Sequence, residues 1–483
     1  MRAASFVLAM LALSPTPASA EESDISEDAD LVPSPSEVYR RGTSEPLGSA
    51  PWWESFGDPS LTRVIDIALR QSHDLAAARS RVDGAQARVE QATAPFYPTL
   101  TVDSTFNGSP SSSLGFQFGG LPSTGGSTLP DVIYNGSAQV NLRYSPDLFG
   151  QQRRTLRAAR ASLAASSDDA DSAAAALAVQ VAGAYFDLVA SRQQVEVVRH
   201  QIELNRSFVD VLRGRYEQNQ ATASDVLQQR SQLASARARL PQAQSTARVA
   251  RERLALLLGL GLAEADQVLP EPRAELPDLQ GEAATGRPRD LLENLPSLCA
   301  AQARLRAARE QLHAAWLSAM PSLALTANAG GQMFVGSETR STETWGFGAN
   351  ISLPIFRGLS ERATVREARA AVREAEHTLE QAVLEAVSNV ESALASEAEL
   401  REQHQADEEL LEVAQMAFQV SRDSYLEGVG TYLAVLTSLS ALQQAELTVI
   451  QSQRALLNAR LNLYLAVGGG FTRDIAGGDG GDE

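Results

Sequence analysis

The sequence predicts an α+β chain, mostly long α-helices, made of two copies of one unit and carrying four β-strands. Three observations predict it. The chain aligns on itself, four segments alternate apolar and polar residues, and the stretches Gly150 to Asn219 and Gly358 to Gly428 contain no proline.

The duplication has two registers. Asp74-Leu75-Ala76-Ala77-Ala78 opens a stretch that runs to Tyr97-Pro98-Thr99-Leu100, and Ser297-Leu298-Cys299-Ala300-Ala301 opens its counterpart, which ends at Met320-Pro321-Ser322-Leu323. The two align without a gap. Further on, Pro146 falls on Pro354, Gly150 on Gly358, Tyr216 on Tyr425, Thr222 on Thr431 and Gly259 on Gly468. Self-similarity at a fixed spacing marks a repeated structural unit. Each half reads as helix, strand, loop, strand, long helix, turn, helix.

The expected division follows. Residues 1–20 are a signal peptide and 21–60 an extended N-terminal segment. Repeat 1 has a helix at 61–97, a β-hairpin with a long loop at 98–146 and a long helical hairpin at 147–260. A linker at 261–287 leads to repeat 2, with its helix at 288–320, hairpin at 321–355 and helical hairpin at 356–468. Residues 469–483 form a flexible Gly/Asp-rich tail.

The signal peptide is read from Arg2, the apolar run Ala3 to Leu13 and the small residues Ala18-Ser19-Ala20. The mature chain then begins near Glu21. No later run of about 18 apolar residues marks a spanning helix. Cys299, the single cysteine, allows no disulfide within one chain and is expected as a small buried residue.

The strands have one apolar and one polar face. Leu100, Val102 and Phe106 alternate with Thr101 and Asp103, and Val140, Leu142 and Tyr144 alternate with Asn141 and Arg143. In the second half Leu323, Leu325 and Ala327 alternate with Thr326, and Trp345, Phe347, Ala349 and Ile351 alternate with Gly346, Gly348 and Asn350. Such faces suit strands with lipid on one side and a wet lumen on the other; hairpins packed on helices in a soluble protein are the alternative. Four strands cannot close a barrel, and open edges are not tolerated in lipid. Several copies must then share one barrel, two giving eight strands or three giving twelve.

The proline-free stretches predict helices of about 100 Å at ~1.5 Å per residue. Val195, Val198 and Ile202, then Leu204, Phe208, Val211 and Leu212, recur at helical spacing, with alanines between them. Each long helix ends in a turn and returns as a second helix, Ser224 to Leu258 and Leu433 to Val467. Asn219 and Gly428 stand where a helix stops in a left-handed conformation. Thr222 and Thr431 stand at the next N-caps. An ordinary antiparallel coiled coil explains the helices alone, but not the strands.

Net charge is −18 and lysine is absent, every basic side chain being arginine. An acidic balance argues against nucleic-acid binding. The histidines at 73, 200, 313, 377 and 404 form no metal-ligand spacing. No catalytic constellation, metal site or cofactor motif stands out, so an enzyme is not expected.

Across nearly all of the mature chain, the sequence resembles TolC-like outer-membrane efflux proteins, in the branch that works with resistance-nodulation-division pumps. The residues that carry the resemblance are Trp52-Trp53, Phe56, Asp58-Pro59, Leu61, Ile65 and Ala68-Leu69, the duplication, and the tips Tyr216 to Leu227 and Tyr425 to Leu436. The resemblance implies a homotrimer with a shared twelve-stranded transmembrane β-barrel above a long helical barrel. It also implies docking of a periplasmic adaptor protein and an inner-membrane pump, and small-molecule rather than protein cargo. Asp225 and Tyr425 match gate-closing positions, and Asn219, Thr222, Gly428 and Thr431 belong to the adaptor-docking turns. This sequence departs from the pattern at Asn219, usually glycine. Gly430 stands in place of a gate arginine in some members, and Ala434 and Thr437 in place of lumen aspartates. It also lacks the N-terminal cysteine that many relatives lipidate. Protein secretion, or a soluble periplasmic coiled-coil scaffold, are the competing readings.

Overall fold

The computed structural model describes residues 51–110, 132–279, 281, 294–335 and 339–468. The expected signal peptide, residues 21–50, the loop 111–131, residues 282–293 and the tail lie outside the described residues.

Repeat 1 comprises α1 (Pro59–Gln71), α2 (His73–Thr93), β1 (Thr99–Pro110), β2 (Val132–Tyr144), α3 (Gln151–Glu217) and α4 (Ala223–Leu257). A short α5 (Leu262–Val268) lies within the segment expected as linker. Repeat 2 comprises α6 (Pro296–Leu317), β3 (Ser322–Val335), β4 (Thr339–Ser352), α7 (Ser360–Leu426) and α8 (Tyr432–Ala466). The stretch 61–97 holds two helices, because Ser72 adopts an extended conformation between α1 and α2.

The strands form one antiparallel sheet in the order β1-β2-β3-β4, so the repeats join at β2–β3. The register aligns the apolar faces across both repeats. Leu100 faces Leu142, Leu142 faces Ala327 and Ala327 faces Phe347. Two rungs on, Val102 faces Val140, Val140 faces Ala329 and Ala329 faces Trp345. The intervening rung is Thr101, Asn141, Asn328 and Gly346. A slip of one residue at the seam would move a whole repeat to the wrong face. Gly330 helps to fix that seam, because a Cβ there would lie 2.3 Å from the Ala138 carbonyl oxygen. Among the described residues nothing covers the apolar face: Val102 is 71% exposed and Phe347 84%.

α3 and α7 each have 67 residues, or about 100 Å. α4 and α8, with 35 residues each, return about half that distance. Below the midpoint α4 packs on α3, α3 on α8, and α8 on α7. Above it α2 packs on α3, α3 on α6, and α6 on α7. Arg154 pairs with Glu310 at 3.1 Å and Arg304 with Asp169, both joining α3 to α6.

The main core sits at the midpoint. The Trp52–Phe56 3₁₀-turn brings Trp52 and Phe56 onto Tyr464. Asp58 caps α1 by accepting from the Ser60 and Leu61 amides, and its second oxygen accepts from the Tyr185 hydroxyl at 2.8 Å. Leu61 and Ile65 are fully buried, which stabilises by roughly 1.5–3 kcal/mol each. α3 and α8 both contain windows apolar enough to cross a bilayer by length and composition. In α3 that window is 72% buried inside the chain, so its apolar side chains form the helical body's own core. Cys299, expected buried, is half-buried on α6.

Candidate functional site at the helical tips

The two helical turns close by the same backbone device. Asn219 has φ +58° and Gly428 φ +82°. Asn219 is the one non-glycine residue with positive φ among the described residues. In the first turn the Gln220 amide donates to the Arg215 carbonyl at 2.8 Å, and in the second the Val429 amide donates to Ser424 at 3.0 Å. These six-to-one bonds satisfy carbonyls that a helix end leaves open. Asparagine tolerates the left-handed region better than most residues, so the departure at Asn219 leaves the turn intact.

The N-caps differ. Thr222 and Asp225 form a complete capping box: the Asp225 amide donates to Thr222 Oγ1 at 3.2 Å, and the Thr222 amide donates to Asp225 Oδ2 at 2.9 Å. Thr431 accepts only from the Ala434 amide, at 3.4 Å, because Ala434 cannot reciprocate. Thr222→Ala should therefore cost about 1 kcal/mol. Faster hydrogen exchange confined to the first turn would show it; unchanged exchange there would count against the cap.

Tyr425 is buried at the end of α7, and its hydroxyl has no hydrogen-bond partner among the described residues. Asp225 is spent on its cap, and no hydrogen bond joins it to Tyr425. The two lie close enough that both act on Tyr432. Burial, then the Asp225 charge and Tyr425, push the Tyr432 hydroxyl up to about 12. It stays protonated at neutral pH and donates to Gln229 Oε1 at 2.7 Å. Gln229 donates to Asn205 Oδ1, Asn205 to the Gln201 carbonyl, and Gln201 to the Gln443 carbonyl and Glu446. This buried polar chain links α3, α4 and α8.

A second contact between the two tips is made by Arg215. Its guanidinium donates to the carbonyls of Tyr425 at 2.8 Å and Leu426 at 2.5 Å, and lies over the Tyr425 ring at 4.7 Å. A cation placed there also suits the negative end of the α7 dipole. Sequence reasoning missed this role. Only the position of Arg215, one residue before the tip tyrosine, hinted at it. Gly430 also has a steric reason: a Cβ there would sit 3.0 Å from the Tyr425 nitrogen.

The chain matches the family described as outer membrane efflux protein over residues 64–260 and 288–469. It is 31% identical to the pyoverdine export outer membrane protein OpmQ of Pseudomonas aeruginosa, over 92% of this chain and 93% of that one. It is 28% identical to the toluene efflux pump outer membrane protein TtgC of Pseudomonas putida, over 87% of this chain and 85% of that one. The crystal structure of the outer membrane protein VceC from Vibrio cholerae superposes with a TM-score of 0.74 at 25% identity, covering 89% of this chain and all of that one. The repeats, the sheet and the paired tips are those of this fold, and the chain belongs to the outer membrane efflux protein family, as an outer-membrane channel with a large helical periplasmic body.

Proposed function

We propose that the chain is the passive exit duct of a tripartite efflux system, assembled as a homotrimer and carrying small molecules. The observation that carries this reading is the sheet. Its apolar face is uncovered, and β1 and β4 are its two edges. Edges in lipid must be paired, so β4 of one copy meets β1 of the next, and three copies give a twelve-stranded barrel. A soluble scaffold gives no reason for such a face.

The tips are where a periplasmic adaptor docks and the inner-membrane pump's cargo enters. Asn219, Thr222, Gly428 and Thr431 shape the docking turns. Asp225 and Tyr425 belong to the gate, the unpartnered Tyr425 hydroxyl being placed to accept or donate a bond that changes on opening. The pump selects the cargo. The export and efflux functions in the names of the relatives favour small molecules over secreted proteins.

Two measurements test this. Outer-membrane extracts should yield a detergent-soluble species of three times the monomer mass that collapses on boiling. Cells lacking the gene should accumulate a pumped dye, and the gene on a plasmid should reverse it. A monomer in the soluble periplasmic fraction would overturn the reading.

A further inference from the structure

Where α3 and α4 reach the midpoint core, a groove of about 540 Å³ opens between them and the segment that follows α5. That volume lies within the ~300–1,000 Å³ typical of small-ligand sites. Its floor is apolar: Val64 of α1, Leu188 of α3 and Leu254 of α4 are all buried. One wall is the run Leu269-Pro270-Glu271-Pro272. Its two prolines stiffen it. It is also tied down, Ser60 Oγ donating to the Glu271 carbonyl at 3.3 Å and the Arg273 amide to the Tyr185 hydroxyl at 3.2 Å. The groove is therefore built of fixed parts.

Three guanidinium groups line it, Arg192 from α3 and Arg248 and Arg251 from α4. The two helices run antiparallel about the turn at Gln220, and Arg192 and Arg248 stand the same number of residues from it. They lie at one level on opposite sides of the groove. Arg251 follows Arg248 by three residues and shares its face of α4. All three side chains are exposed, and neither Arg192 nor Arg248 forms an ion pair among the described residues. Glu271 is the one carboxylate in the lining among the described residues. The groove is thus cationic in a chain whose net charge is −18. Like charges gathered in one groove repel, and packing alone gives no reason to gather them. A guanidinium presents a planar fork of donors that fits a carboxylate or a phosphate.

We propose that this groove binds a ligand carrying two oxyanion groups, carboxylates or phosphates, on a partly apolar body. Arg192, Arg248 and Arg251 hold the oxyanions, and the apolar part lies on Leu188 and Leu254. Arg192 is about 60 Å along α3 from the end that meets the sheet. Headgroups of the membrane that the sheet crosses do not reach so far. The ligand comes instead from the space around the helical body, as an acidic peptide or a phosphate ester. The site uses neither the tips nor the cargo proposed above, so it stands or falls apart from them.

The test is calorimetric titration of the full-length protein in detergent at low salt with two probes, a capped Glu-Leu-Glu tripeptide and fructose 1,6-bisphosphate. A capped Gly-Leu-Gly tripeptide is the neutral control. The wild type should bind at least one anionic probe and not the control, and added salt should weaken the binding. Binding of the tripeptide alone assigns a carboxylate ligand, and of the bisphosphate alone a phosphate ligand. Arg192→Gln and Arg248→Gln should each weaken binding about tenfold, the loss expected for one charged hydrogen-bonding contact. Glu271→Gln should tighten it about threefold by removing the competing carboxylate, a gain that a misfolded variant would not show. No binding of either anionic probe to the wild type, or equal binding by the two arginine variants, would overturn the site.

Discussion

Arg215→Ala is expected to open the periplasmic end of the resting channel. The side chain joins the ends of α3 and α7 through two carbonyl bonds and a ring contact. Hydrogen bonds from a charged donor contribute about 1.5–3 kcal/mol when buried. Arg215 is half-buried, so about 2 kcal/mol for the whole contact is a fair discounted figure. That shifts a two-state equilibrium by about thirtyfold. Cells carrying the variant should become sensitive to a large hydrophilic antibiotic that the outer membrane normally excludes. Purified channels in planar bilayers should spend more time open. Arg215→Lys should recover little, because an ammonium cannot fork between two carbonyls while stacking on a ring. If the alanine variant stays closed in bilayers and cells keep their resistance, the latch lies elsewhere, and the buried Tyr425 hydroxyl becomes the place to look.

Much of the fold was legible because it rests on local patterns. The two-residue alternation of Trp345 to Ile351 fixes a strand with one apolar face. The turn chemistry of Asn219 and Gly428 fixes where the long helices stop. The core seam was less legible. Ile202, Leu204 and Val211 are apolar at helical spacing, yet Val211 is 40% exposed. The buried seam of α3 is Val195, Val198, Gln201, Asn205, Phe208 and Leu212. Spacing alone favours an apolar side chain over Gln201 or Asn205. Those two are buried because each finds partners on other helices, Gln201 on α8 and Asn205 on α4. Polar residues in such a seam fix its register at some expense of stability. Long-range pairing of this kind leaves no mark in a single sequence. The Arg215 contact was hidden for the same reason: its acceptors are backbone carbonyls 210 and 211 residues away. The two tips share a backbone and differ in side chains, so the duplication revealed the turns and not the Arg215 contact.

A second buried contact shows how repeat 2 holds the connection between the halves, and its loss should have the largest effect on stability. Arg460 on α8 is 3% exposed and Glu397 on α7 6%. The guanidinium donates Nε to Glu397 Oε2 at 2.8 Å and Nη2 to Oε1 at 2.6 Å, a bidentate pair. Arg401 adds a third bond to Oε1, and Arg460 also donates to the Gly281 carbonyl at 2.9 Å. Desolvation acts to lower the Arg460 pKa, but the Glu397 carboxylate outweighs it and the net shift is upward. Glu397→Ala leaves that cation buried without its anion, which costs about 3–5 kcal/mol. At about 1 °C per kcal/mol for a chain of 483 residues, the midpoint of thermal unfolding should fall by about 3–5 °C. Joint replacement, Glu397→Leu with Arg460→Met, removes the charge as well as its partner. It should sit much closer to wild type, since buried pairs often exchange for apolar groups at little net cost. Calorimetry of the three proteins in one detergent separates the cases. Equal losses in the single and double variants would mean that the contact acts through the Gly281 backbone bond rather than through charge.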